Sequence, residues 1–187
     1  MLFLNVQFAN LLSKNTFIEK KNLFKLADVV LYHPGHFPEL NEHIVNLYKN
    51  DSFKKIMIPS VYNINLKEDE YIFHKEKLIE LGIPENIIFP IEGQAVSAND
   101  IIKNAMLQIS SEEKNILLVG KTFFMNRFLL IASAFAKEDM ILDVLPLEDN
   151  RGLNQENWYL TDSGRKRVLN EYHMISQFFK QNGELIF

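Results

Sequence analysis

The sequence predicts a doubly wound α/β domain with a mainly parallel sheet of about five strands and helices on both faces. First, short apolar runs alternate along the chain with segments whose apolar residues recur at helical spacing. Second, the short runs are apolar along their whole length, which is typical of strands covered on both faces. Third, no internal repeat, low-complexity segment or linker interrupts this alternation.

The predicted strands are short and rich in β-branched residues. They cover residues 27–35, 54–60, 86–91, 115–120 and 140–146. The first run ends at Pro34 and Gly35 and the second stops at Pro59, because proline and glycine interrupt regular strands.

The predicted helices lie between the strands and after the last one. Their apolar stripes extend from Leu40 to Tyr48, from Tyr71 to Ile79, from Ile101 to Ile109, from about Phe124 to Ala136 and from Val168 to Phe179. Gly82, with Pro84 beyond it, ends the second of these helices, and Thr161 is the expected N-cap of the last.

A further amphipathic helix is predicted at the N-terminus. Its apolar residues at helical spacing are Phe3, Leu4, Phe8, Leu11 and Leu12. Polar residues interrupt the run well before about 18 apolar residues, so it does not predict a membrane span. We expect it to pack on the domain, as a 1–26 extension of a single domain over 1–187 with its core at 27–180. A helix lying on a membrane surface is the alternative.

The composition excludes several kinds of partner and site. Of the 187 residues, 47% are hydrophobic and 24% are charged, which is ordinary for a soluble globular protein. The formal net charge of -4 provides no overall basic field for nucleic acid. Cysteine is absent, which excludes disulfides and zinc–thiolate sites.

A glycine-lysine-threonine sequence at 120–122 lies between a strand and a helix, as in the phosphate-binding loop of ATPases. That loop requires an earlier glycine where this chain has Asn115, and the residues between them belong to the strand. A nucleoside triphosphatase is therefore not predicted. What remains is a strand end that places Lys121, Asn126 and Arg127 near a helix N-terminus, which suits an anion. The alternative is a solvated lysine and an arginine in a surface ion pair.

Four segments follow one another in a recognisable order. They are DVVLYHPG at 28–35, LIELGIPENIIFPIE at 78–92, SANDIIKNA at 97–105 and ILLVGKTFFMNRFLLIASAF at 116–135. In order and spacing they resemble the YdcF-like family, relatives of the SanA-like envelope proteins, over residues 27–180. The resemblance implies a Rossmann-like fold and a small-molecule pocket, with a nucleotide-like ligand such as S-adenosylmethionine proposed for some members. It implies no known reaction.

The chain departs from the family pattern at several positions. PSVYN at 59–63 replaces paired glycines after the second strand, and Lys103 stands where the residue before the motif asparagine is acidic. Phe124 occupies the position of a histidine in many members, so a histidine-dependent mechanism is not implied. Envelope relatives carry an N-terminal membrane anchor that this chain lacks, which favours a cytoplasmic location without stable membrane insertion.

The loops beyond the carboxyl ends of the strands hold the candidate site, because ligands of such folds bind there. The candidate binding residues are Gly35, His36, Glu70, Ser97, Asn99, Lys121, Asn126 and Arg127. The segments expected to line one concavity are 35–36, 60–63, 70, 93–99 and 121–127. In this interpretation the planar guanidinium of Arg127 binds an anionic group of the ligand.

Each candidate also has a structural interpretation. Glu70, which matches the family's acidic position, either binds a ribose diol, acts as a general base, or only favours the helix dipole. Ser97 and Asn99 either cap the following helix or contact the ligand, and capping and binding are compatible. Trp158 in the long loop after the fifth strand either stacks on an adenine-like ring or packs the loop onto the domain.

The histidines raise the question of a metal. His33 and His36 flank a Pro-Gly pair and His43 follows, but the spacing and the absence of a carboxylate cluster do not predict a closed metal site. His36 is instead a candidate ligand contact or acid–base group.

The sequence thus predicts a small-molecule-binding protein with a nucleotide-like ligand of the S-adenosylmethionine type, no metal and no nucleic acid partner. One alternative is an enzyme, a transferase or hydrolase acting on a phosphorylated or glycosyl substrate, with Glu70 as base and Arg127 with Lys121 holding the anion. The other is a non-catalytic, envelope-associated interaction protein that uses the N-terminal helix. The sequence does not indicate the oligomeric state.

Overall fold

The five apolar runs form one parallel sheet in the computed structural model, which describes residues 5–186. Its strands are β1 (Ala27–His33), β2 (Phe53–Pro59), β5 (Ile88–Ile91), β6 (Asn115–Lys121) and β7 (Ile141–Leu147). A separate hairpin consists of β3 (Tyr62–Asn63) and β4 (Glu68–Asp69), which pair antiparallel. The sheet order is β5-β2-β1-β6-β7, with every neighbouring pair parallel. The Rossmann-like prediction is therefore confirmed.

Helices cover both faces of this sheet. They are α1 (Val6–Thr16), α2 (Asn41–Lys49), α3 (Glu70–Glu80), α4 (Ala98–Gln108), α5 (Met125–Phe135) and α6 (Asp162–Ile186). Two starts follow the predicted capping chemistry: the Ser97 hydroxyl and the Asp100 side chain form a capping box at α4, and Thr161 Oγ1 accepts from the Gly164 N–H at α6. Gly82 lies just beyond α3 with φ +95°, a conformation that favours glycine.

Two apolar layers pack on opposite faces of the sheet because successive strand residues alternate in direction. Along β1, Leu31 joins the layer that packs under α4 and α5, whereas Val30 joins the layer under α2 and α3. Along β6, Leu118 and Leu117 divide in the same way. The central strands are therefore buried on both faces, which explains their continuous apolar runs.

The chain reverses its direction of progress across the sheet between β1 and β6. From β1 it proceeds through β2 to β5 on one side, and it then crosses to β6 and β7 on the other. His33, the last residue of β1, is in register with Gly120, the residue before the last one of β6. The loops that leave these two strands diverge, and open α/β sheets bind ligands in the crevice that such a switch point creates.

The N-terminal helix packs on the domain, but mainly through a different face from the one predicted. Its buried residues are small or polar, namely Ala9, Ser13 and Thr16, while Phe8 and Leu11 are 50% and 62% exposed. Of the predicted apolar residues that the structure describes, Leu12 is partly buried against the core. Phe3 and Leu4 lie outside the described residues.

Hydrogen bonds explain why the polar face of α1 is buried. Ser13 Oγ accepts from Trp158 Nε1 at 2.7 Å, and Thr16 Oγ1 donates to Tyr172 Oη at 3.1 Å. Further along, the Asp143 carboxylate accepts from the backbone N–H groups of Lys21 and Leu23, which attaches the extension to β7. Within residues 5–186, no helix combines the length and apolarity needed to cross a membrane.

Candidate functional site

A cleft of about 540 Å³ opens at the carboxyl ends of β1 and β6. His36 and Phe37, from the loop after β1, form one wall, and Lys121 and Phe123, from the end of β6, form the next. The cleft therefore lies at the switch point of the sheet, the position where this fold binds ligands.

The opposite wall comes from the loop after β7 and from α6. The loop contributes Arg151. The helix contributes a stripe at the spacing of one helical face: Ser163, Lys166, Arg167, Asn170 and Glu171. The lining residues thus include four cations, Lys121, Arg151, Lys166 and Arg167, and one carboxylate, that of Glu171. The cleft is locally positive although the whole chain has a net charge of -4.

Of these four cations, Lys121 is the one that lies at the end of a sheet strand. Among the side chains of residues 5–183, which the structure describes, its ammonium group has neither a hydrogen-bond acceptor nor an ion-pair partner. Nζ lies 5.3 Å from the centroid of the Phe37 ring. It also lies only 3.0 Å from where a Cβ on Gly35 would stand, and Gly35 has φ +65°, so the absence of a side chain there leaves room for the lysine. Burial lowers the pKa of Lys121, and the charge of Arg151 adds to this, while Glu70 opposes it.

The orientation of the Arg151 guanidinium is fixed by a carboxylate and two aromatic rings. Its Nε donates to Asp149 Oδ1 at 2.9 Å and a second nitrogen donates to Oδ2. Its guanidinium lies 4.5 Å from the centroid of the Phe37 ring and 5.6 Å from that of Phe123. Burial alone raises the pKa of Asp149, but the hydrogen bonds and charge of Arg151 outweigh it and hold the pKa below its ordinary value. The pair is therefore an ionised, preformed element of the wall.

Glu70 is the first residue of α3 and is 5% exposed. Asn63 Nδ2 donates to its Oε1 at 2.6 Å, whereas Oε2 is buried without any hydrogen-bond partner. Burial raises the pKa of this carboxyl, while the Asn63 hydrogen bond and the charge of Lys121 lower it in part. Glu70 and Lys121 influence each other electrostatically but form no ion pair.

The two histidines of the first loop have different surroundings. His36 stacks on Phe37 with ring centroids 4.1 Å apart, and its Nδ1 accepts from Asn65 Nδ2 at 3.3 Å. Burial and the charges of Lys121 and Arg151 lower the pKa of His36. Both ring nitrogens of His33 are buried without partners, and burial, with the same lysine charge, lowers the pKa of His33 to about 3. His33 is therefore neutral at pH 7.

A buried network holds the loop that carries Gly35. His74 Nε2 lies 2.8 Å from the Gly35 carbonyl oxygen, and its Nδ1 lies 3.0 Å from the amide of Asn41, which also contacts the Tyr32 hydroxyl at 2.9 Å. Burial lowers the pKa of His74 to about 4, so the ring is neutral at pH 7 and carries one N–H. That N–H is on Nε2, because a carbonyl only accepts. Nδ1 is then an acceptor, yet the atom facing it is Asn41 Oδ1, while Asn41 Nδ2 is buried without a partner. Exchanging the oxygen and nitrogen of this amide gives the ring its donor.

The structure corrects the interpretation of Arg127. Its guanidinium is buried, and it donates to both carboxylate oxygens of Glu171, at 2.5 and 3.2 Å. The remaining nitrogen donates to Asn99 Oδ1 at 2.8 Å. The arginine fork that was expected to bind a ligand anion is thus occupied by protein groups, and it joins α4, α5 and α6. The alternative in the sequence interpretation was a surface ion pair, and the pair that the structure shows is buried.

The predicted site residues are only partly brought together. Gly35, His36, Lys121 and Glu70 gather at the carboxyl ends of β1, β2 and β6. The segment 93–99 does not contribute to the cleft, because Ser97 caps α4 and Asn99 binds Arg127 and donates to a carbonyl of α6. Asn126 is half-buried in the first turn of α5, outside the residues that line the cleft.

Two further expectations are resolved by packing. Trp158 is fully buried and donates to Ser13, so it packs the loop onto α1 and is not available to stack on a ligand. His43 is exposed on α2, away from His33 and His36. Among residues 5–186, no group of three or more His, Asp or Glu side chains is arranged to hold a metal ion.

The basic wall of the cleft, formed by Arg151 and the α6 stripe, was not predicted from the sequence. Ser163, Lys166, Arg167 and Asn170 do fall at helical spacing in the predicted last helix, but a polar stripe ordinarily indicates a solvated face. Arg151 lies in a loop, and its position between two aromatic rings depends on residues far away in sequence.

Comparisons with protein-family models, with curated proteins and with solved structures found no match to this chain. The geometry of the cleft is therefore the basis for a functional proposal.

Proposed function

We propose that the protein binds a phosphorylated small molecule of the nucleotide-like class in the cleft between β1 and β6. One observation carries the proposal: the ammonium group of Lys121 is largely buried at the switch point and has no partner among the side chains of residues 5–183. The carboxylates of Glu70, Asp149 and Glu171 act on Lys121 only from beyond ion-pair distance. A buried charge without a direct partner is unfavourable, and a ligand anion would provide that partner.

The rest of the cleft suits a phosphate group. Lys121 acts as a compact charge. Asp149 accepts from two of the three guanidinium nitrogens of Arg151, which leaves the third nitrogen to donate to a phosphate oxygen. Lys166 and Arg167 stand on the α6 side of the opening. Cations that line a cleft concentrate anionic ligands within it and accelerate their association.

The same charges discriminate among nucleotide-like ligands. S-adenosylmethionine carries two positive groups, a sulfonium and an ammonium, and one carboxylate, so its net charge is positive and the cleft favours it less than phosphate esters and anhydrides, whose charges are negative. The resemblance to the YdcF-like family supports a nucleotide-like ligand at this edge of the sheet, and the charge of the cleft favours its phosphorylated members. An enzyme acting on such a substrate is the second candidate, and the buried Glu70 with its raised pKa favours it.

Replacing Lys121 by methionine is expected to weaken the binding of pyrophosphate or ADP about 10- to 100-fold, since a charge-assisted contact is worth about 1.5–3 kcal/mol. The melting temperature of the ligand-free variant should equal or exceed that of the wild type, because the substitution removes an unpaired buried charge. Titration calorimetry with each ligand, and thermal unfolding without ligand, measure the two effects.

Lys180→Met is the matched control, because Lys180 is an exposed lysine on α6 that does not line the cleft. It should bind both ligands like the wild type. Equal affinity in the wild type and in Lys121→Met would show that Lys121 does not hold the ligand, and the proposal would be abandoned. Tighter binding of S-adenosylmethionine than of ADP by the wild type would overturn the preference for phosphate.

A further inference from the structure

We propose that Glu70 is the second recognition group of this cleft and accepts a hydrogen bond from a ligand hydroxyl group. The ligand class is then a phosphate ester with a hydroxyl group close to its phosphate, as in sugar phosphates. This inference rests on the proposed function, since it assigns the phosphate to Lys121 and the other cations and the hydroxyl group to Glu70.

One oxygen of the Glu70 carboxyl group has no hydrogen-bond partner. Among the side chains that the structure describes, Glu70 Oε2 is the only buried oxygen without a hydrogen-bond partner. The other oxygen accepts from Asn63, which fixes the orientation of the group, and Asp69 anchors the helix start by accepting from the Tyr71 N–H at 2.9 Å. An oriented, buried and unsatisfied acceptor requires an explanation, and a ligand donor is a sufficient one.

Glu70 and Lys121 do not form an ion pair with each other. Each feels the charge of the other, yet no nitrogen–oxygen distance between them falls within 4.0 Å. A group that lies between them must donate to a carboxylate and accept from an ammonium. A hydroxyl group does both, whereas a phosphate oxygen would be repelled by the carboxylate.

A small hairpin connects the Glu70 carboxyl group with the cleft wall, although Glu70 itself does not line the cleft. The β3–β4 hairpin contributes Asn63 to Glu70, and Asn65, between its strands, to His36 on the cleft wall. Its apolar side chains Tyr62 and Ile64 are 70% and 78% exposed, so little apolar packing fixes the hairpin. In this proposal a ligand hydroxyl group reaches Glu70 Oε2 when the hairpin moves away from the carboxyl group, and segments with little apolar packing are the ones that open at low cost.

Two probes that differ only in hydroxyl groups test the inference: glycerol 3-phosphate and propyl phosphate. We expect the wild type to bind glycerol 3-phosphate about tenfold more tightly, which is the ordinary effect of one hydrogen bond to a charged group. Glu70→Gln should lose most of this preference and bind propyl phosphate at least as tightly as the wild type. The glutamine oxygen still accepts from Asn63, and its NH₂ group can only donate to the hydroxyl oxygen, so the hydrogen bond to a charged acceptor is lost. Calorimetric or NMR titrations measure all four affinities.

Two further variants complete the experiment. Glu76→Gln changes an exposed glutamate of the same helix and should behave like the wild type. Asn63→Ala frees the carboxyl group to rotate and should reduce the preference partially, which provides a second test if Glu70→Gln unfolds at a lower temperature than the wild type.

The outcomes separate this inference from the proposed function. If the wild type binds both probes equally, or if Glu70→Gln and Asn63→Ala both retain the full preference, Glu70 does not recognise a hydroxyl group although phosphate binding stands. If neither probe nor inorganic phosphate binds the wild type, the proposed function itself fails. A preference that is mostly lost in Glu70→Gln and persists in Glu76→Gln supports the assignment.

Discussion

Replacing Arg127 by alanine is expected to lower the free energy of unfolding by about 3–5 kcal/mol, because it leaves the Glu171 carboxylate buried without its counter-charge. The substitution also removes the donor to Asn99 and the contact of the guanidinium with the Phe124 ring, 4.7 Å away. For a chain of this length the melting temperature should fall by roughly 10 °C. Thermal and denaturant unfolding of the ligand-free variant measure the change.

A surface pair and a double variant serve as controls. Glu80→Ala breaks the exposed ion pair with Lys77, and its effect should stay below about 1 kcal/mol. The double variant with methionine at 127 and 171 removes both charges and should regain much of the loss. A single variant that melts like the wild type but binds ADP poorly would instead show that Arg127 serves the ligand.

The fold follows from local sequence because its signals are short-range. The β1 run from Ala27 to His33 is apolar on both sides, and its end at Pro34-Gly35 is encoded in adjacent residues. The end of α3 at Gly82 and the caps at Ser97 and Thr161 are likewise local. The buried face of α1 could not be predicted in this way, because Ser13 is buried by a hydrogen bond from a tryptophan 145 residues away.

In the candidate site, too, features encoded by neighbouring residues were predicted and features that depend on distant residues were not. Lys121 and His36 were predicted because residues that follow strand ends share one edge of a parallel sheet. Arg127 follows β6 equally closely, but its partner Glu171 lies 44 residues further along the chain, and only the packing of α6 against α5 brings them together. The basic wall of the cleft depends on the same helix. The position of α6 therefore determined which predicted residues were free and which were occupied.

The position of two buried histidines predicts a second large effect, a loss of stability in mild acid. Burial lowers the pKa of His33 to about 3 and that of His74 to about 4, from an ordinary value of 6.5. Below pH 6.5 the unfolded chain therefore binds protons that the folded protein does not. Above pH 6.5 keeping these two histidines neutral costs no free energy, and below it the free energy of unfolding decreases as the pH falls. Between pH 7 and pH 5 each histidine accounts for a loss of about 2 kcal/mol.

Other titratable groups do not mask the effect of the two histidines between pH 7 and pH 5. Glu70 acts in the opposite direction, since its raised carboxyl pKa makes protonation favour the folded state, and it reduces the net loss. Carboxylates with lowered pKa values, such as Asp28 and Asp143, contribute only at lower pH. Urea unfolding at pH 7 and pH 5 should show the decrease in the wild type, and His33→Phe should remove about half of the histidine contribution. His43→Gln, at an exposed position of α2, should leave the difference unchanged. If His33→Phe and the wild type lose the same stability between the two pH values, His33 takes up its proton in the folded protein and is not held neutral by burial.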